Sequence, residues 1–326
     1  MKAIVYRNYG APDVLRYEER EKPVPGDNEV LIKVRAASVN PYDWHFMRGE
    51  PYPLRLVAGL RAPKDHRLGA DVAGEVEAVG KNITQLKPGD AVFGTCRGAL
   101  AEYACSSESR LAPKPEGVTF EQAASVGIAA ITALQALRDK GHIQPGQNVL
   151  VNGAAGGVGT FGVQIAKTFD ANVTGVCSAK NLDTVQSIGA DHVIDYTSED
   201  YTRSRQSYDI ILDCVGNHSL SINRTVLSPK GIYVGAGGQG GRWMIDTLAG
   251  MIAAPLMSWF GGRKLVSLLA NINREDLTIV GELIASGKVT PVIDRRYTLS
   301  ETADAIRYLE GGHARGKVVI ILDGKP

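Results

Sequence analysis

Between Asn148 and Lys167 the chain reads NVLVNGAAGGVGTFGVQIAK: a short apolar run, then Gly153, Gly156, Gly157 and Gly159, then apolar residues at helical spacing. Glycines placed this way permit a tight turn and let backbone N–H groups approach a bound anion. The first turn of the following helix has N–H groups with no intrahelical acceptor, and its dipole favours negative charge, so a pyrophosphate is stabilised there. Strand, glycine turn and helix is the context that a dinucleotide-binding fingerprint requires. The residues lining such a cradle would be Gly153, Ala155, Gly156, Gly157 and Val158. The spacing is Gly-x-x-Gly-x-x-Gly rather than the commoner Gly-x-Gly-x-x-Gly, and alone it fits a purely structural turn equally well.

A second set of residues bears on which dinucleotide would bind. A unit that binds NAD offers an acid at the end of its second strand to the ribose 2′-hydroxyl, whereas a 2′-phosphate is met by basic or hydroxyl groups. Here that strand ends VCSAKN, which puts Ser178 and Lys180 at the deciding place and Asp183 in the next helix. These residues favour NADPH, although Lys180 also reads as an ordinary solvated lysine. Further along, Val215 and Gly216 follow the fourth strand, and Gly235 and Gly237 follow the fifth. Strand C-termini are where such folds bind ligands, and the glycines serve turn geometry under either reading.

The elements that must position these residues are legible in coarse form. Residues 1 to about 120 alternate as half-buried strands (MKAIVY, EVLIKVRAASV, DVAGEVEAVG) separated by turns such as Pro25-Gly26-Asp27 and Pro88-Gly89-Asp90. Phe120 to Leu137 is alanine-rich and apolar at helical spacing, and predicts one buried helix between two domains. From Gln147 strands alternate with helices, which implies a doubly wound parallel sheet. Asp276 to Ser286 and Ala303 to Leu309 predict amphipathic helices, and GKVVIIL a closing strand that returns to the first domain.

Composition excludes several classes. Lys plus Arg (36) nearly balances Asp plus Glu (35), so no field points to nucleic acid or an anionic membrane. The four cysteines form no CxxC, which makes a reducing compartment the default. The start, MKAIVYRNYG, lacks the apolar core of a signal peptide, and the longest apolar stretch, Leu248 to Phe260, is too short to span a bilayer. A cytoplasmic protein with no membrane span is expected.

Over its whole length the chain resembles the medium-chain dehydrogenase/reductase superfamily, and within it the zinc-free quinone oxidoreductase (zeta-crystallin-like) branch. The resemblance is carried, in order, by GAPDVLRYEE, SVNPYDW with Gly49, GADVAGEVEAVG, LKPGDAVFG, ITALQAL, NGAAGGVG, GADHVIDY, DIILDCVG and RGKVVI. It implies an α/β fold with a GroES-like β-rich catalytic domain, residues 1–121 completed by 273–326. A Rossmann domain at 122–272 and a cofactor cleft complete the expectation.

It also implies roles for single residues. The zinc members carry a cysteine ligand where Asn40 stands and a histidine ligand where Ala70 stands; Gln122 to Leu137 supplies no third ligand, so no metal is expected. Asn40 would donate its amide to a carbonyl or the cofactor ribose, or else cap the turn before Pro41. Tyr52 is the candidate oxyanion donor or proton source, with a packing role as the alternative. Asp43 is expected to be a structural hydrogen-bonder. Thr132 would lie beside the cofactor, or bond its own helix backbone. Tyr196 and Lys317 would approach the 2′-phosphate, Tyr196 being equally readable as a core tyrosine and Lys317 as a strand-edge lysine.

Without a Lewis acid, hydride addition suits an electron-poor acceptor, a small hydrophobic quinone or α,β-unsaturated carbonyl; the resemblance also implies a homodimer. A metal-free alcohol dehydrogenase is one rival. An enoyl-thioester reductase using Arg55, Arg61 and Lys64 is another, and a non-catalytic NADPH-binding partner protein is a third. The aromatic and methionine-rich run at 242–263 fits either a hydrophobic acceptor cleft or a subunit interface.

Overall fold

The structure is a computed structural model that describes residues 1–237 and 262–322; most of the run at 242–263 therefore lies outside the described residues. The chain divides into two compact units. One comprises Met1–Ile131, Asn271–Gly287 and Ile293–Pro326, the other Thr132–Ala270 and Lys288–Val292. The first division thus falls after Ile131 rather than after residue 121.

In the first unit β1 (Lys2–Val5) and β2 (Arg16–Glu19) form an antiparallel ribbon. A larger sheet is built on β3 (Glu29–Val39), β4 (Asp71–Val79), β5 (Ala91–Thr95), β6 (Tyr103–Ser107) and β7 (Leu111–Pro113). Two strands from the C-terminal part, β14 (Ile293–Thr298) and β15 (Lys317–Ile321), extend it in the order β14-β15-β3-β4-β5-β7, with β6 also pairing with β3. Two registers bring distant polar residues side by side. β15 runs antiparallel to β3 with Val318 opposite Val39, and β4 runs antiparallel to β3 with Asp71 opposite Ser38. Val30, Ile32, Val34, Val72, Val92, Val318 and Ile320 join one buried cluster, which is why these alternating segments hold as strands.

The second unit is a parallel sheet of β8 (Asn148–Asn152), β9 (Asn172–Cys177), β10 (His192–Asp195), β11 (Tyr208–Asp213), β12 (Leu227–Gly235) and β13 (Lys264–Ser267). Their order is β10-β9-β8-β11-β12-β13, so the winding reverses between β8 and β11. That reversal is the switch point at which doubly wound sheets bind ligands. The helix Gly157–Thr168 buries Phe161, Val163, Ile165 and Ala166.

The expected single helix over Phe120 to Leu137 is instead broken into Phe120–Ala124 and Gly127–Gln135. The break has a physical reason. The backbone N–H of Ile128 donates to Asp71 Oδ1 at 2.8 Å, so the restarted helix begins on a buried carboxylate. Gly127 is needed there, since a Cβ would lie 2.2 Å from the same oxygen. Among the described residues no helix is long and apolar enough to cross a membrane.

Candidate functional site

In the second unit every strand of the sheet runs the same way, so the turns after β8, β9, β10, β11 and β12 gather at one edge. After β8, Gly153 adopts φ +83°, a left-handed conformation that suits glycine. Gly159 is required by contact rather than by φ: a Cβ there would sit 2.1 Å from the Gly153 carbonyl oxygen. Gly156 differs, because its added Cβ would meet only that oxygen, at 3.4 Å. Gly156 is also the N-cap of the helix Gly157–Thr168 and supplies no side-chain cap, so the first-turn N–H groups are left for another acceptor. Gly156, Gly157 and Val158 are partly exposed and Ala155 is buried.

Ser178 and Lys180 follow the end of β9, and Tyr196 follows the end of the neighbouring β10. Asp195 of β10 pairs with Cys177 of β9, and the Tyr196 N–H donates to the Cys177 carbonyl at 3.0 Å. Tyr196 is 57 % exposed, Lys180 is exposed, and Lys180 enters no ion pair among the described residues. The nearby Asp195 carboxylate is taken up by the Thr197 N–H at 3.0 Å and the Thr197 and Ser198 hydroxyls. These hydrogen bonds hold its pKa below the usual value.

At the switch point a carboxylate that sequence reasoning missed organises the edge. Asp213 is fully buried at the end of β11. Its Oδ1 accepts from Asn152 Nδ2, Val215 N and Gly216 N, each at 2.9 Å, and its Oδ2 accepts from the Tyr233 hydroxyl at 2.8 Å. Burial, and then the carboxylate beside it, raise the Tyr233 phenol well above its ordinary pKa, so Tyr233 stays a donor. The signal was available: an acid ending the apolar run YDIILD must be satisfied by donors if the strand is buried. On β12, Gly235 lies beside Asp213, and Gly237 passes so close to Cys214 that a Cβ would be 2.7 Å from its carbonyl oxygen. Thr132 is buried on the helix Gly127–Gln135.

In the first unit the registers of β3, β4 and β15 assemble a buried polar cluster. Lys317 Nζ donates to Asn40 Oδ1 at 2.5 Å and to Asp71 Oδ2 at 3.2 Å. Asn40 Nδ2 donates to Asp71 Oδ2 at 2.9 Å, and Ser38 Oγ donates to the same oxygen at 2.8 Å. Lys317 retains 3 % exposure and Asp71 none. This corrects the phosphate role expected of Lys317. Its ammonium is enclosed in the first unit and spent on Asn40 and Asp71, because β15 pairs with β3 rather than ending at a surface.

Asn40 precedes the helix Pro41–Arg48 as its N-cap. Its own N–H donates to Asp43 Oδ2 at 2.7 Å, so Asp43 is a structural hydrogen-bonder. Asp43 is fully buried and its Oδ1 has no hydrogen-bond partner. Burial therefore pushes its carboxyl up to about 7, against the opposing pull of the Asn40 N–H. Tyr52 packs under the Arg55 guanidinium, 4.9 Å from its ring centre, while Arg55 also faces Tyr9 and donates to the Gly49 carbonyl at 2.9 Å. The structure thus brings Asn40 and Lys317 together in one unit and the glycine turn, Ser178, Lys180, Tyr196, Val215, Gly235 and Gly237 along one sheet edge in the other.

Residues 26–116 match the alcohol dehydrogenase GroES-like domain family, and residues 188–320 match the zinc-binding dehydrogenase family. A chloroplastic quinone-oxidoreductase homolog of Spinacia oleracea is 34 % identical over 338 residues, covering 98 % of both chains. The chain belongs to the quinone oxidoreductase branch of the medium-chain dehydrogenase/reductase superfamily. The NADPH-dependent alkenal/one oxidoreductase of Arabidopsis thaliana is 35 % identical to this family member over 335 residues, covering 98 % of the chain and 79 % of the relative. Among solved structures, the quinone oxidoreductase from Coxiella burnetii superposes with TM-score 0.86 at 32 % identity, covering 99 % of each chain.

The superfamily's zinc-binding members raise the question of a metal. Asn40 and Ala70, standing where those members have cysteine and histidine, offer an amide already bonded to Lys317 and a methyl group. Neither is a zinc ligand. Among the described residues no three His, Cys, Asp or Glu side chains are grouped to hold a metal ion. At these two positions the side chains do not fit zinc.

Proposed function

We propose that this oxidoreductase uses NADPH to reduce a hydrophobic quinone or the carbon–carbon double bond of an α,β-unsaturated carbonyl, without a metal. The observation that carries the reading is the sheet edge of the second unit. There an uncapped helix start behind Gly156 lies with a partly exposed Ser178, an exposed Lys180 and Tyr196, and no free acid at the end of β9. The first-turn N–H groups suit a pyrophosphate, and the lysine with the hydroxyls suits a 2′-phosphate. Similarity to a quinone-oxidoreductase homolog and to an alkenal/one oxidoreductase supports the acceptor class.

NADPH, when bound, supplies a hydride from its nicotinamide ring. The chain's part is to hold and orient. Gly153, Ala155, Gly156, Gly157 and Val158 bind the pyrophosphate, and Ser178, Lys180 and Tyr196 the 2′-phosphate. Thr132, Val215, Gly235 and Gly237 orient the nicotinamide end. Asn40 donates a hydrogen bond to the acceptor's carbonyl oxygen, and Tyr52 donates a proton or hydrogen bond to the reduced product. The four cysteines are free thiols, which supports a reducing, cytoplasmic setting, and the reading includes a homodimer.

The test is consumption of NADPH, and in parallel NADH, with a quinone and an enone in the presence of EDTA. Turnover that prefers NADPH and resists EDTA is expected. Lys180→Glu should raise KM for NADPH by about tenfold or more and leave NADH turnover nearly unchanged. Measurable NADPH binding with no turnover of any acceptor would sink the enzyme reading in favour of a binding partner, and a preference for NADH would sink the cofactor assignment.

A further inference from the structure

We propose that Lys317 and Asp71 are positioning residues that lock the side-chain amide of Asn40 in one orientation and aim its remaining N–H at the acceptor carbonyl. The proposal rests on the reductase reading above, in which Asn40 meets that carbonyl. A count of donors carries it. Of the two Nδ2 hydrogens of Asn40, one is held by Asp71 Oδ2 at 2.9 Å. Among the described residues the other has only the Ser38 carbonyl at 3.5 Å, too long for a good N–H···O bond. The opposite end of the amide is fixed by the Lys317 ammonium at 2.5 Å.

Turning the amide over would set its NH2 against an ammonium and its oxygen against a carboxylate, two repulsive contacts in a site from which water is excluded. The flip is forbidden at both ends at once. Asp71 is held in turn: Ser38 Oγ donates to Oδ2 at 2.8 Å and the Ile128 N–H to Oδ1 at 2.8 Å. The Asn40 backbone is tied down separately by Asp43. Stability gives little reason for such a pair, because a buried ion pair is often replaceable by apolar residues at no loss. Orientation gives one. A donor that cannot rotate incurs no reorganisation cost when charge develops on the acceptor oxygen.

The experiment uses the full chain labelled with 15N-asparagine. The Asn40 side-chain signals are assigned by their loss in Asn40→Ala. In the wild-type protein the two Nδ2 protons should be well separated in shift and slow to exchange. The double variant Asp71→Asn/Lys317→Met removes both charges together, so no unpaired charge is left in the core. Its Asn40 signals should move toward those of a free amide. Its kcat with a quinone or enone should fall by about tenfold while KM for NADPH changes by less than about twofold. Lys317→Arg should recover part of the loss.

Wild-type Asn40 signals that already resemble a free amide would overturn the proposal, even if the double variant did not fold. So would a folded double variant with wild-type signals and kcat. Wild-type kcat in Asn40→Ala would instead remove the underlying role of Asn40, and the signals would still judge the lock on their own.

Discussion

Replacing Asp213 tests whether the edge of the parallel sheet depends on one carboxylate. In Asp213→Ala four donors lose their acceptor. The Val215 and Gly216 N–H groups lie in a turn whose residues are partly or fully exposed, so water can take over there at small cost. Asn152 and Tyr233 cannot be rescued so readily, being 3 % and 6 % exposed. Asn152 Nδ2 keeps its other hydrogen on Asn217 Oδ1 at 2.8 Å. One hydrogen of Asn152 and the Tyr233 O–H are left unpaired, which at about 1–3 kcal/mol each costs up to about 6 kcal/mol before any cavity is counted. Against a domain stability of roughly 5–15 kcal/mol that is a large fraction.

Asp213→Asn should be much milder. Its oxygen can still accept from Asn152 and the two turn N–H groups, and its amide can donate to Tyr233 once the phenol turns to accept. Charge assistance worth about 1–2 kcal/mol is lost and the Tyr233 O–H gives up its acceptor, but the other three donors keep theirs. Urea unfolding followed by circular dichroism, with m compared across the variants, measures both. The alanine variant should also bind NADPH more weakly, because the Val215–Gly216 turn is no longer pinned. An alanine variant within about 0.5 kcal/mol of wild type, or an asparagine variant as damaged as the alanine one, would refute the assignment of Asp213 as the organising acceptor.

Two glycines should respond oppositely to the same methyl group. Gly159→Ala forces a Cβ to 2.1 Å from the Gly153 carbonyl, so melting temperature should fall with a loss of about 1–3 kcal/mol. Gly156→Ala has room in the fold and should keep its stability while NADPH affinity falls at least about tenfold, as titration would show. Asp43 supplies a pH dependence. Its folded carboxyl stands at about 7 against 3.8 for the free group, so the folded state holds the proton more tightly than the unfolded one. Stability from this site is therefore full below pH about 4 and is lost as pH rises through about 7, an effect of up to about 4 kcal/mol. Asp43→Asn should flatten that part of the stability–pH curve; an unchanged slope would count against the buried, half-satisfied carboxyl.

The sequence by itself determined what is local. Val149, Leu150 and Val151 followed by the glycines make a strand, a turn and a helix wherever they occur, since periodicity and backbone freedom act over a few residues. Ser178 and Lys180 could be placed at a strand end for the same reason. What the tertiary structure decided are the partnerships set by register across long separations. Lys317 lies opposite Asn40 only because β15 pairs antiparallel with β3 in one of several possible alignments, and a shift of one residue would turn its side chain to the other face. The same pairing converts a residue legible as a surface phosphate ligand into a buried clamp. Asp71 likewise interrupts the single helix expected over Phe120 to Leu137 by drawing the Ile128 N–H onto its carboxylate, a contact spanning 57 residues. Asp213 gathers Asn152, Val215, Gly216 and Tyr233 because parallel strands bring their C-terminal ends together. Local pattern states which residues can turn, pair or bury, whereas the cost of burying a charge without partners selects the arrangement in which each finds them.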